Sequence, residues 1–332
     1  MASGARIFVA GHGGLAGSAL MRQLAARGYR NLITRTRAQL DLTDAAAVRA
    51  FFASERPQYV FHAAGKVGGI VANNTYPAEF IAENLTIQTN VIHEAWRNGV
   101  KRLLFLGSSC IYPRDCPQPI RESYLLTGGL EPTNRPYAVA KIAGVEMCWA
   151  YNRQYATRFL TAMPTNLYGP GDHYDLQNSH VLPALIRRFH EAKVRRDAAV
   201  TLWGTGSPRR EFLYSDDMAE ACVCLMSLSD HEFECVLDPD PPNPRPPLIN
   251  IGCGEDLTIR ELADKVRTVV EYMGRVEWDP SKPDGTPRKL LDVSRLFAHG
   301  WRPRMDLERG IENAYRDFLR RADTAAPPAT GS

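Results

Sequence analysis

The stretch RIFVAGHGGLAGSALMRQLAARG, residues 6–28, decides the fold of this chain. Its first six residues form an apolar run typical of a buried strand, and residues 15–28 repeat apolar side chains at helical spacing. Between the two, Gly11, Gly14 and Gly17 follow the spacing G-x-x-G-x-x-G. Such a tight turn needs backbone angles that glycine adopts at low cost, and the following helix presents free N–H groups to a pyrophosphate. The stretch therefore predicts a dinucleotide site in a strand–turn–helix unit.

The alternation of strand and helix continues to about residue 108. The next predicted elements are a strand (31–36), a helix (44–55), a strand (59–65), a helix (81–99) and a strand (102–108). Strands and helices that alternate form a parallel sheet with both faces covered, and right-handed crossovers make that sheet doubly wound. We therefore predict an α/β fold whose first domain, residues 1–170, is a Rossmann domain that binds the dinucleotide.

Weaker regularity after residue 170 predicts a smaller, mixed α/β lobe that binds the substrate and is interleaved with the first domain. We assign residues 171–321 to this lobe and predict that the tail, 322–332, is disordered. The segment 239–247 holds six prolines in nine positions, which predicts an extended surface loop. The elements predicted in the lobe are helices at 180–193 and 258–274 and a strand at 248–253.

Composition argues against several classes of protein. The 332 residues carry a net charge of +3 and are 44% hydrophobic, so we expect a globular protein that binds neither nucleic acid nor a membrane surface. Seven scattered cysteines without a CxxC pair indicate a reduced, cytoplasmic protein and no metal site. Neither a signal peptide nor an 18-residue apolar run is present, so no membrane span is expected.

Two arginines bear on the choice of nicotinamide cofactor. A site for NAD usually places a carboxylate near the end of the second strand, where it binds the ribose hydroxyls. This chain has Arg35 and Arg37 there, and arginine binds a 2′-phosphate through charge-assisted bonds. NADP(H) is therefore the predicted cofactor, although either arginine could instead be a solvated residue at the sheet edge. Asp41 and Leu42 follow and are predicted to meet the adenine ring.

Polar residues with catalytic potential follow the fourth strand and begin a later helix. In YAVAK, Tyr137 and Lys141 are four residues apart and so share one face of a helix. An ammonium group near a phenol favours the phenolate and lowers its pKa from about 10. A serine at the end of the fourth strand, Ser108 or Ser109, would hold a substrate carbonyl while Tyr137 acts as the acid in hydride transfer. The residues alone do not separate the two serines, and they leave Cys110 as a small buried apolar residue or a reactive thiol.

Specific blocks give the chain a family resemblance over roughly residues 5–320. It resembles the extended short-chain dehydrogenases/reductases and, within them, the GDP-L-fucose synthase group, which epimerises and reduces GDP-4-keto-6-deoxy-D-mannose. The blocks that carry the resemblance are KVGGIVANNTYPAEFI (66–81), FLGSSCIYP (105–113), LEPTNRPYAVAKIAG (130–144), MPTNLYGP (163–170), NSHVLPALIRRFHEA (178–192) and KPDGTPRKLLD (282–292).

The resemblance implies a role for the thiol that reduction alone does not need. Inversion at C3 and C5 beside a C4 ketone needs one group to remove a proton from one face of the sugar and another to return one on the opposite face. The resemblance implies that Cys110 is this base and His180 this acid, and both types of group titrate near neutral pH. It also implies that Ser108, rather than Ser109, works with Tyr137 and Lys141.

Binding residues also follow from the resemblance. Those implied for NADP(H) are Gly11, Gly14, Leu15, Gly17, Arg37, Asp41, Leu42, Ala63, Leu106, Gly107, Lys141, Pro164, Asn166, Leu167 and His180. Those implied for the GDP-sugar are Arg188, Trp203, Arg210, Lys282 and Asp284, whose cationic, aromatic and acidic groups suit a pyrophosphate, a flat surface and sugar or guanine donors. The resemblance further implies a homodimer paired through the helices at 81–99 and 137–155.

Two departures from the family pattern leave the cofactor preference and the substrate open. Gly13 stands where the family often has an arginine that touches the NADP phosphate, which weakens the predicted NADP preference. His173 and Tyr174 replace the usual Asn-Phe before the acid histidine, so a related GDP-6-deoxy or 3,6-dideoxy sugar is a second possible substrate. Two other functions stay open for the chain as a whole: 3,5-epimerisation without net reduction, as in relatives of GDP-mannose 3,5-epimerase, and a non-catalytic NADP-binding sensor.

Overall fold

The computed structural model describes residues 1–175, 179–237, 245–282 and 284–325. The strands are β1 (Ile7–Ala10), β2 (Leu32–Ile33), β3 (Tyr59–His62), β4 (Arg102–Leu106), β5 (Phe159–Pro164), β6 (Asn166–Tyr168), β7 (Ala199–Trp203), β8 (Arg209–Arg210), β9 (Phe212–Tyr214), β10 (Leu248–Ile251), β11 (Leu257–Thr258), β12 (Arg275–Asp279) and β13 (Arg288–Lys289). The helices are α1 (Leu15–Ala26), α2 (Ala45–Glu55), α3 (Ile70–Thr75), α4 (Pro77–Arg97), α5 (Arg135–Tyr155), α6 (Val181–Arg195), α7 (Ser215–Ser227), α8 (Asp230–Leu237), α9 (Ile259–Val270), α10 (Ser294–Ala298) and α11 (Leu307–Ala325).

The main sheet has six parallel strands in the order β10-β5-β4-β3-β1-β2. Along β1, Ile7 and Val9 belong to one apolar core with residues of α1, α7 and α8, whereas Phe8 and Ala10 belong to another with residues of α2 and α4. Successive side chains of a strand point to opposite faces, so this division shows that both faces of the sheet are covered. The doubly wound α/β fold is confirmed.

The local pattern predicted the first elements closely, with differences at their ends. The second strand is only Leu32–Ile33, shorter than the predicted 31–36, and α4 begins at Pro77 rather than at residue 81. Helix α2 begins as predicted because the carboxylate of Asp44 accepts hydrogen bonds from the N–H groups of Ala46 and Ala47, at 2.9 and 3.0 Å.

The strand near residue 248 does not lie where it was predicted. We expected residues 248–253 in the smaller lobe, but β10 pairs in parallel with β5 of the main sheet, with Leu248 opposite Thr161. Helices α7 and α8 also pack on the main sheet. A run of apolar residues indicates a strand but not its partner, which explains the error. The division into lobes at residue 170 stays a prediction, since the chain returns to the main sheet after it.

A third apolar core lies among α6, α9 and α11. Phe189 of α6 stacks on Tyr272 at 5.6 Å, and Val200 of β7 lies in the same core. Strand β7 pairs with β12, while β8 lies between β11 and β13. Residues of α6, α9, β7, β8, β12 and β13 line the cavity described below.

Other predictions concern the end of the chain and the loops. Helix α11 continues to Ala325, so residues 322–325, which we predicted to be disordered, are helical. Residues 326–332 lie outside the described residues, as do residues 239–244 of the proline-rich segment. Within the described part of the chain, no helix combines the length and the apolar character needed to cross a bilayer.

Candidate active site

The glycine turn lets β1 and α1 approach the segment after β3. Gly11 has a φ of +82°, and a Cβ atom there would lie 2.7 Å from the nitrogen of Ala64. A Cβ atom on Gly17 would overlap the carbonyl oxygen of Gly11, whereas one on Gly14 would make an ordinary contact at 3.7 Å. Two of the three glycines are therefore required sterically. Among the described residues, no side chain caps α1, so its first N–H groups can bind an anion.

Further residues predicted to bind the cofactor lie along one edge of the main sheet. In a doubly wound sheet this carboxyl edge of the strands is where a dinucleotide binds. Their position fits the prediction, and their binding role stays a prediction. The residues that end a strand of this region or follow it closely are Leu15, Ala63, Leu106, Gly107, Pro164, Asn166 and Leu167.

The two arginines proposed for the 2′-phosphate differ in their availability. Arg35 forms an ion pair with Glu55 of α2. The Arg37 side chain is 75% exposed, and its nitrogens lie 3.5 Å from Asp41 and 3.9 Å from Glu83. Arg37 is therefore the candidate that can turn toward a phosphate, but two carboxylates compete for it.

Neighbouring positions complete this end of the cofactor site. The Asp41 carboxylate accepts hydrogen bonds from the N–H and hydroxyl of Thr43, which hold its pKa below the ordinary value. Leu42 packs partly buried against the core on one face of the sheet. Gly13 is exposed, and a Cβ atom there would have open space around it. A side chain could be added at Gly13 without a clash.

A cavity of about 850 Å³ is lined by four of the five predicted catalytic residues, Lys141 being absent from its described lining. Ser108, Cys110, Tyr137 and His180 all line it. The turn after β4 separates the two serines, because Ser108 faces the cavity while Ser109 is buried and only 5% exposed. The structure thus brings the thiol, the phenol and the imidazole onto the wall of one cavity.

Cys110 lies in a polar corner of this cavity. Its sulfur accepts a hydrogen bond from the side-chain amide of Asn134 at 3.2 Å, and the ammonium group of Lys289 lies 3.9 Å away. On its other side Cys110 packs against a small apolar cluster that includes Phe80 and Tyr137. The thiol therefore faces donors rather than a purely apolar core, which separates it from an ordinary buried cysteine.

Tyr137 and Lys141 share one face of α5, as their spacing predicted. Burial raises the pKa of Tyr137 above its ordinary value; nearby Cys110 adds to this, and a hydrogen bond with Ser108 opposes it. The expectation that Lys141 lowers the pKa of Tyr137 was wrong for this structure, because desolvation of the phenolate prevails. The ammonium nitrogen of Lys141 donates to the carbonyl of Leu106 at 2.9 Å, and burial lowers the pKa of Lys141 to about 8.

His180 precedes α6 at the cap position. Its side chain makes no capping hydrogen bond to the helix and faces the cavity instead. The ring faces the cavity but is surrounded by protein atoms on its other sides. Desolvation therefore lowers the pKa of His180, and the positive charge of Lys289 lowers it further. A histidine that readily gives up its proton suits an acid in proton transfer.

Four of the five predicted substrate residues line the same cavity, and one of them, Arg210, lies close enough to Cys110 to interact with it electrostatically. Arg188, Trp203, Arg210 and Asp284 line it. The Asp284 carboxylate already accepts hydrogen bonds from the N–H and hydroxyl of Thr205, at 2.7 and 2.8 Å, so it fixes a loop as well as bordering the cavity. Lys282 is absent from the described lining of the cavity; its ammonium group lies 5.6 Å from the ring centre of Trp203.

The residues at positions 173 and 174, which depart from the family pattern, are not among the described cavity residues. The hydroxyl of Tyr174 donates to the carbonyl of Ala314 in α11, and its ring packs on Phe318 with 4.9 Å between ring centres. His173 is not among the described cavity residues. These two substitutions therefore give no support to a change of sugar.

Sequence reasoning missed much of the cavity lining, including three residues that lie beside predicted site residues. Asn134 and Lys289 lie against Cys110, and Trp278 lines the cavity from β12, which pairs with the strand of Trp203. Asn134 and Lys289 both lie inside blocks quoted for the resemblance, so a search of those blocks for donors could have found them. Trp278 lies in β12 outside the quoted blocks, and no spacing signal marks it.

A doubly wound sheet with a glycine turn after its first strand, and with serine, tyrosine and lysine at its carboxyl edge, defines a dinucleotide-dependent enzyme of the short-chain dehydrogenase/reductase type. The chain belongs to the NAD dependent epimerase/dehydratase family, whose profile matches residues 7–235.

Curated relatives match nearly the whole chain. GDP-L-fucose synthase 1 of Arabidopsis thaliana is 56% identical over 317 residues, which are 95% of this chain and 94% of the relative. GDP-L-fucose synthase of Escherichia coli is 55% identical over 320 residues, which are 96% of this chain and 98% of the relative. The resemblance inferred from the sequence blocks is confirmed.

Solved structures match over a similar span. A GDP-6-OMe-4-keto-L-xylo-heptose reductase from Campylobacter jejuni has a TM-score of 0.91 at 37% identity, covering 97% of this chain and 99% of that one. A GDP-D-glycero-L-gluco-heptose synthase from the same organism, solved in the presence of NADPH, has a TM-score of 0.88 at 37% identity, covering 96% and 99%.

Proposed function

We propose that the protein uses NADPH to epimerise GDP-4-keto-6-deoxy-D-mannose at C3 and C5 and to reduce it at C4, which yields GDP-L-fucose. The observation that carries the proposal is that Cys110, Tyr137 and His180 line one cavity beside Ser108. A ketone reductase needs the phenol and the serine but has no use for a second acid–base pair. The names of the relatives that are 55% and 56% identical support the same substrate.

The epimerase step uses the thiol and the imidazole. The C4 carbonyl acidifies the neighbouring C–H bonds, Cys110 takes a proton from one face of the sugar, and the electron pair of the C–H bond moves into an enolate. His180 then gives a proton to the same carbon from the opposite face. Before the second carbon is inverted, Cys110 must lose the proton that it has taken and His180 must regain the proton that it has given.

The reductase step uses Tyr137 and Ser108, which line the same cavity. NADPH, when bound, supplies the hydride to C4. Tyr137 gives its proton to O4, and Ser108 donates a hydrogen bond that holds the carbonyl. The raised pKa of Tyr137 keeps the phenol protonated until it is needed. The glycine turn, the open N-terminus of α1 and Arg37 fit NADPH, and Lys141 would meet its nicotinamide ribose.

Other residues of the cavity wall suit the nucleotide. Arg188 and Arg210 can bind the pyrophosphate, and Trp203, which is 54% exposed, offers a flat apolar surface. Lys282 stands over that ring. Asp284 completes the set as an acceptor for sugar or guanine groups.

The test is incubation with GDP-4-keto-6-deoxy-D-mannose and NADPH in deuterated water. We expect deuterium at C3 and C5 together with loss of NADPH absorbance. Cys110→Ser is expected to suppress deuterium uptake and to leave NADPH binding intact, while Cys235→Ser, which changes an exposed thiol, serves as the matched control. Deuterium uptake without NADPH loss would favour an epimerase alone, and NADPH binding without either would favour a sensor.

We also propose a homodimer and a cytoplasmic location. Helices α4 and α5 carry an aromatic cluster in which Trp96 stacks on the half-exposed Tyr155 at 4.2 Å, and such a surface suits pairing with a second copy. All seven cysteines are free, which suits a reducing compartment. Light scattering of the purified protein tests the dimer: a mass near 37 kDa, that of one chain, would contradict it.

A further inference from the structure

Two neighbouring strands divide their basic residues between two faces. Strand β13 pairs in parallel with β8, so Lys289 lies opposite Arg210 and Arg288 opposite Arg209. Arg209 and Arg288 both bind the carboxylate of Asp256, at 2.9 and 2.5 Å. Because successive side chains of a strand point to opposite sides, Arg210 and Lys289 point the other way, and both line the cavity.

Lys289 stands between the two groups proposed for epimerisation. Its ammonium nitrogen lies 3.9 Å from the sulfur of Cys110, and its charge also lowers the pKa of His180. The amide of Asn134 donates to the same sulfur at 3.2 Å. The thiol therefore meets a cation and a hydrogen-bond donor at once.

Other charged or titratable groups near the thiol come from several elements. Arg210 of β8 interacts electrostatically with Cys110, with Glu131 of the turn before α5, and with Asp284. Tyr137 of α5 packs against the sulfur and stays protonated. The direct contact of Lys289 with the sulfur makes this lysine the cation best placed to stabilise the thiolate.

We propose that Lys289 is a positioning residue that, with Asn134, stabilises the thiolate form of Cys110 and so readies it to remove a proton from the sugar. A cation beside a thiol favours the thiolate, which is the basic and nucleophilic form. In the step, the sulfur takes a proton from carbon, the C–H electron pair enters the enolate, and the sulfur becomes neutral. The role in proton removal rests on the proposed function, whereas the effect on the thiol does not.

The experiment measures alkylation of Cys110 in the intact, substrate-free protein. Iodoacetamide is the probe because it is neutral, so loss of a lysine does not alter its attraction to the cavity. Mass spectrometry follows the peptide that contains Cys110, and the exposed Cys235 in the same sample is the internal reference. For Lys289→Met we expect alkylation of Cys110 at pH 7 to slow about tenfold, and its pH profile to move upward by about one pH unit.

Matched variants keep the test decisive. Lys289→Arg is expected to restore most of the rate because it keeps the charge, and Asn134→Ala to slow alkylation by a smaller factor. Lys265→Met changes an exposed lysine on α9 and should leave the rate unaltered. If Lys289→Met misfolds, the buried Cys148 and Cys222 become open to alkylation, and Lys289→Gln replaces this variant.

Two outcomes separate the inference from the proposed function. An unchanged alkylation rate and pH profile in folded Lys289→Met would overturn the role of Lys289. Slower alkylation in a protein that turns over no GDP-4-keto-6-deoxy-D-mannose would support the effect on the thiol and overturn the proposed function instead. With activity present, deuterium uptake at C3 and C5 should fall about as far as alkylation does, and rise again in Lys289→Arg.

Discussion

Replacing Lys141 with methionine should stabilise the folded protein at neutral pH, although it removes a residue of the proposed active site. Lys141 is 4% exposed, and its ammonium group has one described hydrogen bond, to the carbonyl of Leu106. Burial lowers the pKa of this lysine from the ordinary 10.5 to about 8. A methionine has similar length and carries no charge into the interior.

The magnitude follows from the two pKa values of Lys141. Between pH 8 and pH 10.5 the unfolded chain holds more protons than the folded one, so stability rises with pH through this window. The buried charge of Lys141 lowers the free energy of unfolding of the wild type by about 3 kcal/mol at pH 7 and by about 1.5 kcal/mol at pH 9.5. Loss of the hydrogen bond to Leu106 costs the variant about 1–2 kcal/mol, which leaves a net gain of about 1–2 kcal/mol at pH 7.

Urea unfolding of both proteins at pH 7 and pH 9.5 checks this prediction. The advantage of Lys141→Met over the wild type should shrink by about 1.5 kcal/mol between the two pH values, because the wild-type lysine loses its charge. Other groups titrate in the same range, but they do so in both proteins and cancel in the comparison. A stability difference that stays constant between pH 7 and pH 9.5 would refute the reasoning.

Three further predictions concern other sites. His62 is fully buried, neither ring nitrogen has a partner among the described residues, and burial lowers its pKa to about 3, so stability should fall as pH drops from 6.5 toward 3. The free energy of unfolding of His62→Leu, relative to that of the wild type, should be about 2 kcal/mol higher at pH 5 than at pH 7, as measured by urea unfolding. Gly17→Ala should abolish NADPH binding in fluorescence titration because its Cβ atom would overlap Gly11, while Gly13→Ala, in open space, should bind NADPH normally. Trp203→Ala should raise KM for the GDP-sugar about tenfold with little change in kcat, and a change in kcat alone would exclude a binding role.

The sequence predicts well those features that depend on neighbours along the chain. Apolar spacing located α1, and the side chain of Asp44 set the start of α2. The glycine spacing located the turn, because a close approach of backbone leaves no room for a Cβ atom at Gly11 or Gly17. These signals are local, so they can be read without knowing the fold.

Features that depend on distant contacts could not be predicted in this way. Lys289 lies in a strand of two residues, which is too short for any periodicity, and only its pairing with β8 turns it toward Cys110. The direction of the pKa change at Tyr137 was wrong because spacing reveals a nearby lysine but not the depth of burial. The position of β10 was also missed, because parallel strands pair across long stretches of chain and local spacing does not reveal the partner.

The pairing of β10 with β5 also bears on how the chain folds during synthesis. Strand β5, Phe159–Pro164, is buried along its whole length, and one of its edges stays unpaired until residues 248–251 have emerged from the ribosome. A nascent chain that ends near residue 170 would expose the unpaired edge of this apolar strand, which is a template for aggregation. The first 170 residues alone are therefore expected to aggregate on expression, and a chain extended to residue 251 is expected to aggregate less.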